Sequence, residues 1–102
     1  MTNWKTVAEA RRIVEQETGT IYKDWGGKLP VALAYPNTYY VGMSSLGLQT
    51  VYRLFNQRSD VVCERVFWRE GERRGDKGQG LVSLESQRPL GEFGLVAFSL
   101  AY

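Results

Sequence analysis

The chain has 102 residues, one cysteine and no histidine, so it is one small domain or part of a larger protein. Its 13 basic and 11 acidic residues give a net charge of +2, too even a balance to indicate nucleic-acid binding. A single cysteine excludes an internal disulfide, and without histidine the commonest general base and metal ligand is missing, so we predict neither catalytic residues nor metal ligands.

The first 28 residues predict a helix and a connector. Residues 4–17 place apolar side chains at the i, i+3, i+4 spacing of an amphipathic helix, which Gly19 ends. Residues 20–28 contain two glycines and aromatic anchors, which favours a connector. We therefore predict two units: residues 1–24 as N-terminal helix and connector, and residues 25–102 as the main domain.

Three apolar runs predict β-strands, at residues 29–35, 61–67 and 95–102. A helix that ends near Gln57 joins the first two strands. Its predicted apolar stripe consists of Leu46, Val51, Leu54 and Phe55. The segment between the second and third strands is rich in glycine and charge over residues 68–80, which predicts a loop.

The order strand, helix, strand, crossover, strand predicts a parallel sheet with right-handed crossovers. The predicted fold class is α/β: a three-layer, Rossmann-like or flavodoxin-like parallel sheet of about three main strands, incomplete, with an N-terminal helix. The last predicted strand is fully apolar, so we expect the domain to be truncated at its C-terminal end. An exposed edge strand of this kind could pair with the same strand of a second copy, so we also predict a possible homodimer.

Polar residues that follow or end the predicted strands predict a pocket at the carboxyl edge of the sheet. No G-x-G-x-x-G fingerprint and no P-loop lysine follows the first strand, so a dinucleotide site is not indicated. For the loop at 37–45, the alternative is an ordinary turn and helix cap. For the segment at 83–90, the alternative is an ion pair between Glu85 and Arg88. The predicted cofactor-binding residues, which would act by hydrogen bonding, are Asn37, Thr38, Tyr39, Gly42, Ser44, Ser45, Ser83, Glu85, Ser86 and Ser99.

Two adjacent charges, Glu64 and Arg65, interrupt the second apolar run. Adjacent residues of a strand point to opposite faces of the sheet, so these two side chains cannot face each other. We expect each to find its partner in a helix or a loop. The tryptophans, Trp25 among them, are scattered, which favours core or interface anchoring over base stacking.

No apolar run approaches the roughly 20 residues that cross a bilayer, so no membrane contact is predicted. The first residues also lack the apolar core of a signal peptide. We therefore expect a cytoplasmic protein.

Four stretches of the sequence carry a family resemblance when they are taken together. They are Pro-Asn-Thr-Tyr-Tyr-Val-Gly-Met-Ser-Ser-Leu-Gly at 36–47, Cys-Glu-Arg-Val-Phe at 63–67, Ser-Leu-Glu-Ser-Gln-Arg-Pro-Leu at 83–90, and Val-Ala-Phe-Ser-Leu at 96–100. In this order they resemble the N-terminal region of a family of radical SAM proteins, which carry a cobalamin-binding-like Rossmann domain ahead of the radical SAM barrel.

This resemblance implies a parent enzyme that cleaves S-adenosylmethionine at a [4Fe–4S] cluster. Such a cluster needs a C-x-x-x-C-x-x-C motif, so the chemistry is expected beyond residue 102, and the fragment alone is not expected to be an enzyme. The implied partner is the radical SAM barrel of the same polypeptide. Without the histidine of a D-x-H-x-x-G motif, cobalamin would bind without a histidine ligand; the alternative is a structural, docking domain that binds no cofactor.

Overall fold

The computed structural model describes residues 4–35, 39, 43, 46–67 and 81–98. In chain order the elements are α1 (Trp4–Glu15), β1 (Leu29–Tyr35), α2 (Leu46–Gln57), β2 (Val61–Phe67), a 3-10 turn (Leu90–Glu92) and β3 (Leu95–Phe98). The predicted helices and strands are therefore present, while residues 99–102 of the third predicted strand and the predicted loop at 68–80 lie outside the described residues. Helix α1 ends two residues earlier than predicted, in a turn where the amides of Gln16 and Glu17 donate to the carbonyls of Ile13 and Val14.

The three strands form a parallel sheet in the order β2-β1-β3. Strand β1 pairs with β2 from Leu29 opposite Val61 to Tyr35 opposite Phe67. It pairs on its other side with β3, with Val31 opposite Leu95. The predicted α/β fold class is confirmed, and the order matches the first three strands of the flavodoxin-like order 2-1-3-4-5.

The two faces of the sheet are covered differently. The face that carries Val31 and Leu33 packs against both α1 and α2, through residues such as Val14 and Leu48, and we call it the helix face. The opposite face carries Ala32 and Ala34 and packs against Leu81, Leu90 and Phe93, and we call it the loop face. Alternation along β1 therefore assigns odd-numbered positions to the helices and even-numbered positions to the loop.

The predicted apolar stripe of α2 was wrong in part. Leu46 and Leu54 are 79% and 56% exposed, whereas Leu48 and Tyr52 are buried. The face that packs on the sheet is rotated because Tyr52 turns inward, where its hydroxyl accepts from the amide of Ile21 at 3.0 Å and donates to a buried carboxylate. Sequence reasoning gave a tyrosine less weight than leucine, although a buried tyrosine is stable once its hydroxyl is paired.

The first half of the outer edge of β2 is covered by side chains. The Nζ of Lys23 donates to the carbonyl of Val61. The side-chain amide of Asn56 accepts from the Cys63 amide at 2.9 Å and donates to the Cys63 carbonyl at 3.0 Å. Asn56 thus makes the two bonds that a neighbouring strand would make.

Residue 65 continues this pattern with partners from the segment after β2. Its backbone amide donates to Oε1 of Glu85 at 3.0 Å, and its carbonyl accepts from the amide of Leu84 at 2.8 Å. The outward backbone groups of positions 61, 63 and 65 are therefore paired without a further strand.

Strand β3 is different, because no residue in the described part of the chain pairs with its outer edge. Leu95 and Phe98 are 48% and 60% exposed, while their partners Val31 and Ala34 on β1 are 1% and 0% exposed. The sheet thus has one edge that the chain itself completes and one that no described residue pairs.

Candidate functional site

An open cleft of about 430 Å³ lies on the helix face of the sheet. Residues that follow α1 form one wall, and residues of α2 form another. Arg65 of β2 lies at the base of the cleft, and Tyr39 and Met43 also line it. The volume lies within the usual range for small-molecule sites, which makes this cleft the candidate site.

The guanidinium of Arg65 is held between two carboxylates, although its side chain is only 2% exposed. Its Nε donates to Glu85 at 2.7 Å. Its two terminal nitrogens donate in a fork to the two oxygens of Glu17, at 2.7 and 2.9 Å. The guanidinium carbon also lies 4.5 Å from the ring centre of Tyr52. A buried arginine needs such pairing, because an uncompensated charge in the interior is costly.

Glu85 is the more deeply buried of the two carboxylates, with 1% of its side chain exposed. It accepts from the Arg65 backbone and Nε and from the Tyr52 hydroxyl, the last at 2.6 Å. Burial raises the pKa of Glu85, and the hydrogen bonds and the charge of Arg65 only partly offset this. Burial, followed by the negative charge of Glu85, raises the pKa of Tyr52 as well, so Tyr52 is a neutral hydrogen-bond donor.

Glu17 borders the cleft and is ionised. Burial acts to raise its pKa, but the hydrogen bonds from Arg65, Thr20 and Tyr39 together outweigh burial and lower it. Burial likewise acts to lower the pKa of Arg65, yet the charge of Glu85 and the hydrogen bond with Glu17 raise it overall. We give the name Arg65 cluster to Arg65, its partners Glu17, Glu85 and Tyr52, and Tyr39, which donates to Glu17. Its cation is permanently charged, and one of its two carboxylates borders the cleft while the other is fully buried.

Glu64 forms a second polar cluster on the loop face. Its Oε1 accepts from the hydroxyls of Ser83 and Ser86, both at 2.6 Å, and its Oε2 accepts from the indole of Trp25 at 2.9 Å. Trp25 also packs edge-on against Phe93, with ring centres 4.9 Å apart. The expectation that Glu64 and Arg65 find separate partners in loops and helices is confirmed, and Trp25 is an anchor.

The predicted site residues within the described part of the chain separate into two groups. Tyr39 and Glu85 belong to the Arg65 cluster on the helix face, since the Tyr39 hydroxyl donates to Glu17. Ser83 and Ser86 belong to the Glu64 cluster on the opposite face. The residues that lie outside the described part are Asn37, Thr38, Gly42, Ser44, Ser45 and Ser99. A single pocket built from all ten residues stays a prediction.

The alternative pairing of Glu85 with Arg88 was wrong. Glu85 pairs with Arg65, twenty positions away in the sequence, whereas Arg88 lies 3.6 Å from Glu92 and 4.0 Å from the ring centre of Trp25. Sequence reasoning also missed Arg65 as the centre of the cleft. The available signal was a charge inside an apolar strand, since such a charge must be paired when it is buried.

Cys63 offers no chemistry to this site. It is buried, and burial together with the nearby charge of Glu85 raises the pKa of its thiol to about 12. A thiol of this kind is neither a nucleophile nor a metal ligand near neutral pH. Within the described residues no group of three His, Cys, Asp or Glu side chains suits a metal ion, and no helix is both long and apolar enough to cross a membrane.

Comparison with known proteins places the chain in a family. Residues 47–102, more than half of the chain, match the family described as the N-terminal region of radical SAM proteins. The match includes Glu64, Arg65 and Glu85 and begins after Glu17 and Tyr39. No curated protein and no solved structure gives a significant match. The chain belongs to this family of radical SAM N-terminal regions.

Proposed function

We propose that this member of the radical SAM N-terminal family is an accessory domain that docks, through β3, on the remainder of a longer radical SAM polypeptide. The observation that carries the proposal is the contrast between the composition of β3 and its surroundings. Leu95, Val96, Ala97 and Phe98 are all apolar, as in a strand covered on both faces, yet the two ends of the strand are exposed.

The register of the sheet defines what the partner must cover. Leu95 lies opposite Val31 on the helix face, and Phe98 lies opposite Ala34 on the loop face. One exposed apolar side chain therefore projects from each face, beside an edge that no described residue pairs. A further strand with elements packed on both of its faces would pair with the edge of β3 and cover Leu95 and Phe98 as well. A doubly wound sheet continues in this way.

Family membership favours the same polypeptide as the source of that strand. The family comprises N-terminal regions, and the order β2-β1-β3 leaves the next position of the sheet beside β3. In this proposal the S-adenosylmethionine and the [4Fe–4S] cluster belong to the barrel of the parent enzyme, because one buried cysteine cannot supply three cluster ligands. The unpaired cysteine also accords with a reducing, cytoplasmic compartment.

Amide hydrogen exchange in the 102-residue chain and in a longer radical SAM polypeptide that contains it tests the docking. We expect the outward amides of Leu95 and Ala97 to exchange rapidly in the chain alone and to be protected in the longer polypeptide. The amides of Cys63 and Arg65 are the control, since they are paired within the chain and should be protected in both. Unprotected β3 amides in the longer polypeptide would refute the proposal, and protection through a dimer of the short chain would identify a second copy as the partner.

A second candidate function is binding of a cobalamin-like cofactor, which the resemblance carried by the four sequence stretches suggests. Any corrin would be held without a histidine ligand, by polar groups such as the hydroxyl of Tyr39, which lines the cleft. Titration with cobalamins, followed by absorbance and calorimetry, tests this. Saturable binding that Tyr39→Phe weakens would support it, whereas no binding to the longer polypeptide would leave docking as the function.

A further inference from the structure

The carboxylate of Glu17 occupies a complete binding site for a carboxylate. Oε1 accepts from Nη2 of Arg65 at 2.7 Å and from the hydroxyl of Thr20 at 2.5 Å. Oε2 accepts from Nη1 of Arg65 at 2.9 Å and from the hydroxyl of Tyr39. A two-pronged contact of this kind is the preferred recognition of a carboxylate by arginine.

Arg65 is oriented by residues other than Glu17. Glu85 binds Nε from behind and is itself fixed by the Arg65 backbone amide and by the Tyr52 hydroxyl. The ring of Tyr52 lies 4.5 Å from the guanidinium carbon. Contacts other than those with Glu17 therefore also hold the guanidinium, as a preorganised site requires.

Glu17 lies in a connector, whereas Arg65 lies in a strand of the sheet. Glu17 lies outside α1, in the short connector that contains Gly19, and an added Cβ at Gly19 would meet nothing within 4 Å. Arg65 and Glu85 lie within the residues that match the family, whereas Glu17 precedes them. Arg65, the cation of the site, and Glu17, its present occupant, are thus 48 positions apart in the sequence.

We propose that the fork of Arg65, together with Tyr39, is a recognition site for the carboxylate of a small-molecule ligand, and that Glu17 is an internal carboxylate that occupies this site in the unliganded state. The adjoining cleft of about 430 Å³ receives the rest of the ligand. Exchange of Glu17 for another carboxylate leaves Arg65 paired, so it avoids the cost of an uncompensated buried charge. The exposed Arg53 on the rim of the cleft favours the approach of an anion.

Chemical rescue by acetate tests the site without knowledge of the natural ligand. Glu17→Ala removes the internal carboxylate, and we expect its thermal midpoint to fall and then to recover by at least half in sodium acetate at pH 7. Sodium chloride at the same ionic strength should not restore it. Recovery of the folded state in acetate is the expected result even where this variant fails to fold in chloride.

Glu85→Ala is the matched control, because it removes the other carboxylate from the same arginine at a position outside the cleft lining. Its midpoint is expected to fall and not to recover in acetate. Glu17→Gln keeps the position filled, so it should also be insensitive to acetate. Equal recovery of both alanine variants, or recovery of neither, would overturn the proposal, because the first indicates a general salt effect and the second an inaccessible arginine.

Discussion

The two outer edges of the sheet differ in how their outward backbone groups are paired. β2 and β3 each pair with β1 on one side only. On β2, the outward backbone groups at positions 61, 63 and 65 are paired by Lys23, Asn56 and residues 84–85. On β3 no described residue makes such a bond, and apolar side chains project from both faces.

The comparison teaches that side chains and loop backbone can pair the outer edge of a strand in place of a further strand. Unpaired strand edges invite association, and natural proteins cover them with polar groups or further structure. On β2 the chain supplies specific polar side chains from three regions: the connector, α2 and the segment after β2. The absence of such groups along β3, within the residues described, is what makes β3 the side at which we expect the partner.

The largest expected effect follows the loss of Arg65, whose side chain binds the segment that covers the outer edge of β2. Arg65→Met leaves Glu17 and Glu85 without their cation, and we expect the free energy of unfolding to fall by about 3–5 kcal/mol in urea denaturation. Arg58→Met is the control, since its ion pair with Asp60 at 3.0 Å is exposed on both sides and its loss should not be measurable. A loss below about 1 kcal/mol for Arg65→Met would show that the cluster does not hold the covered edge.

A smaller effect is expected from Asn56, which substitutes for a strand. Asn56→Ala leaves the amide and carbonyl of Cys63 unpaired, at a cost of about 2 kcal/mol in the free energy of unfolding. Hydrogen exchange of the Cys63 amide should accelerate in the same variant. Gln57→Ala, at an exposed neighbouring position, is the control. If the Cys63 amide kept its protection in Asn56→Ala, the amide side chain would not be what completes this edge.

The smallest effect is expected on the open side of the sheet. Leu95→Ala should lower the free energy of unfolding of the chain by less than about 1 kcal/mol, because Leu95 is already 48% exposed. Leu33→Ala on β1 makes the same change at a 2% exposed position, where about 2–5 kcal/mol is expected. Equal losses in chemical denaturation would mean that β3 is buried within this chain, and the contrast between the two edges would disappear.

Much of the architecture follows from local pattern. The strands at residues 29–35 and 61–67 begin and end where predicted, because short apolar runs bounded by turn residues are typical of buried parallel strands. The buried side of α2 was harder to predict, since the inward turn of Tyr52 depends on a carboxylate 33 residues further along the chain. Periodicity finds an amphipathic helix more readily than it finds which polar side chain is paired in the core.

The candidate site was predicted only in part for the same reason. Sequence position placed Glu85 and Tyr39 among the polar residues near strand ends, and both belong to the Arg65 cluster. Ser83 and Ser86 lie close to Glu85 in sequence but bind Glu64 on the opposite face. Which face a loop residue reaches depends on how the loop crosses the edge of β2, and spacing alone carries no information about that.

The sequence by itself determined the α/β class, the order of helices and strands, and the absence of the histidine and second cysteine that much catalytic and metal chemistry requires. Only the tertiary structure decided that Arg65 lies between Glu17 and Glu85, that one edge of the sheet is covered, and that no described residue pairs with the outer edge of β3. The physical reason is the range of the interactions involved. Hydrophobic periodicity is local, whereas the pairing of buried charges and backbone groups joins residues twenty to nearly fifty positions apart.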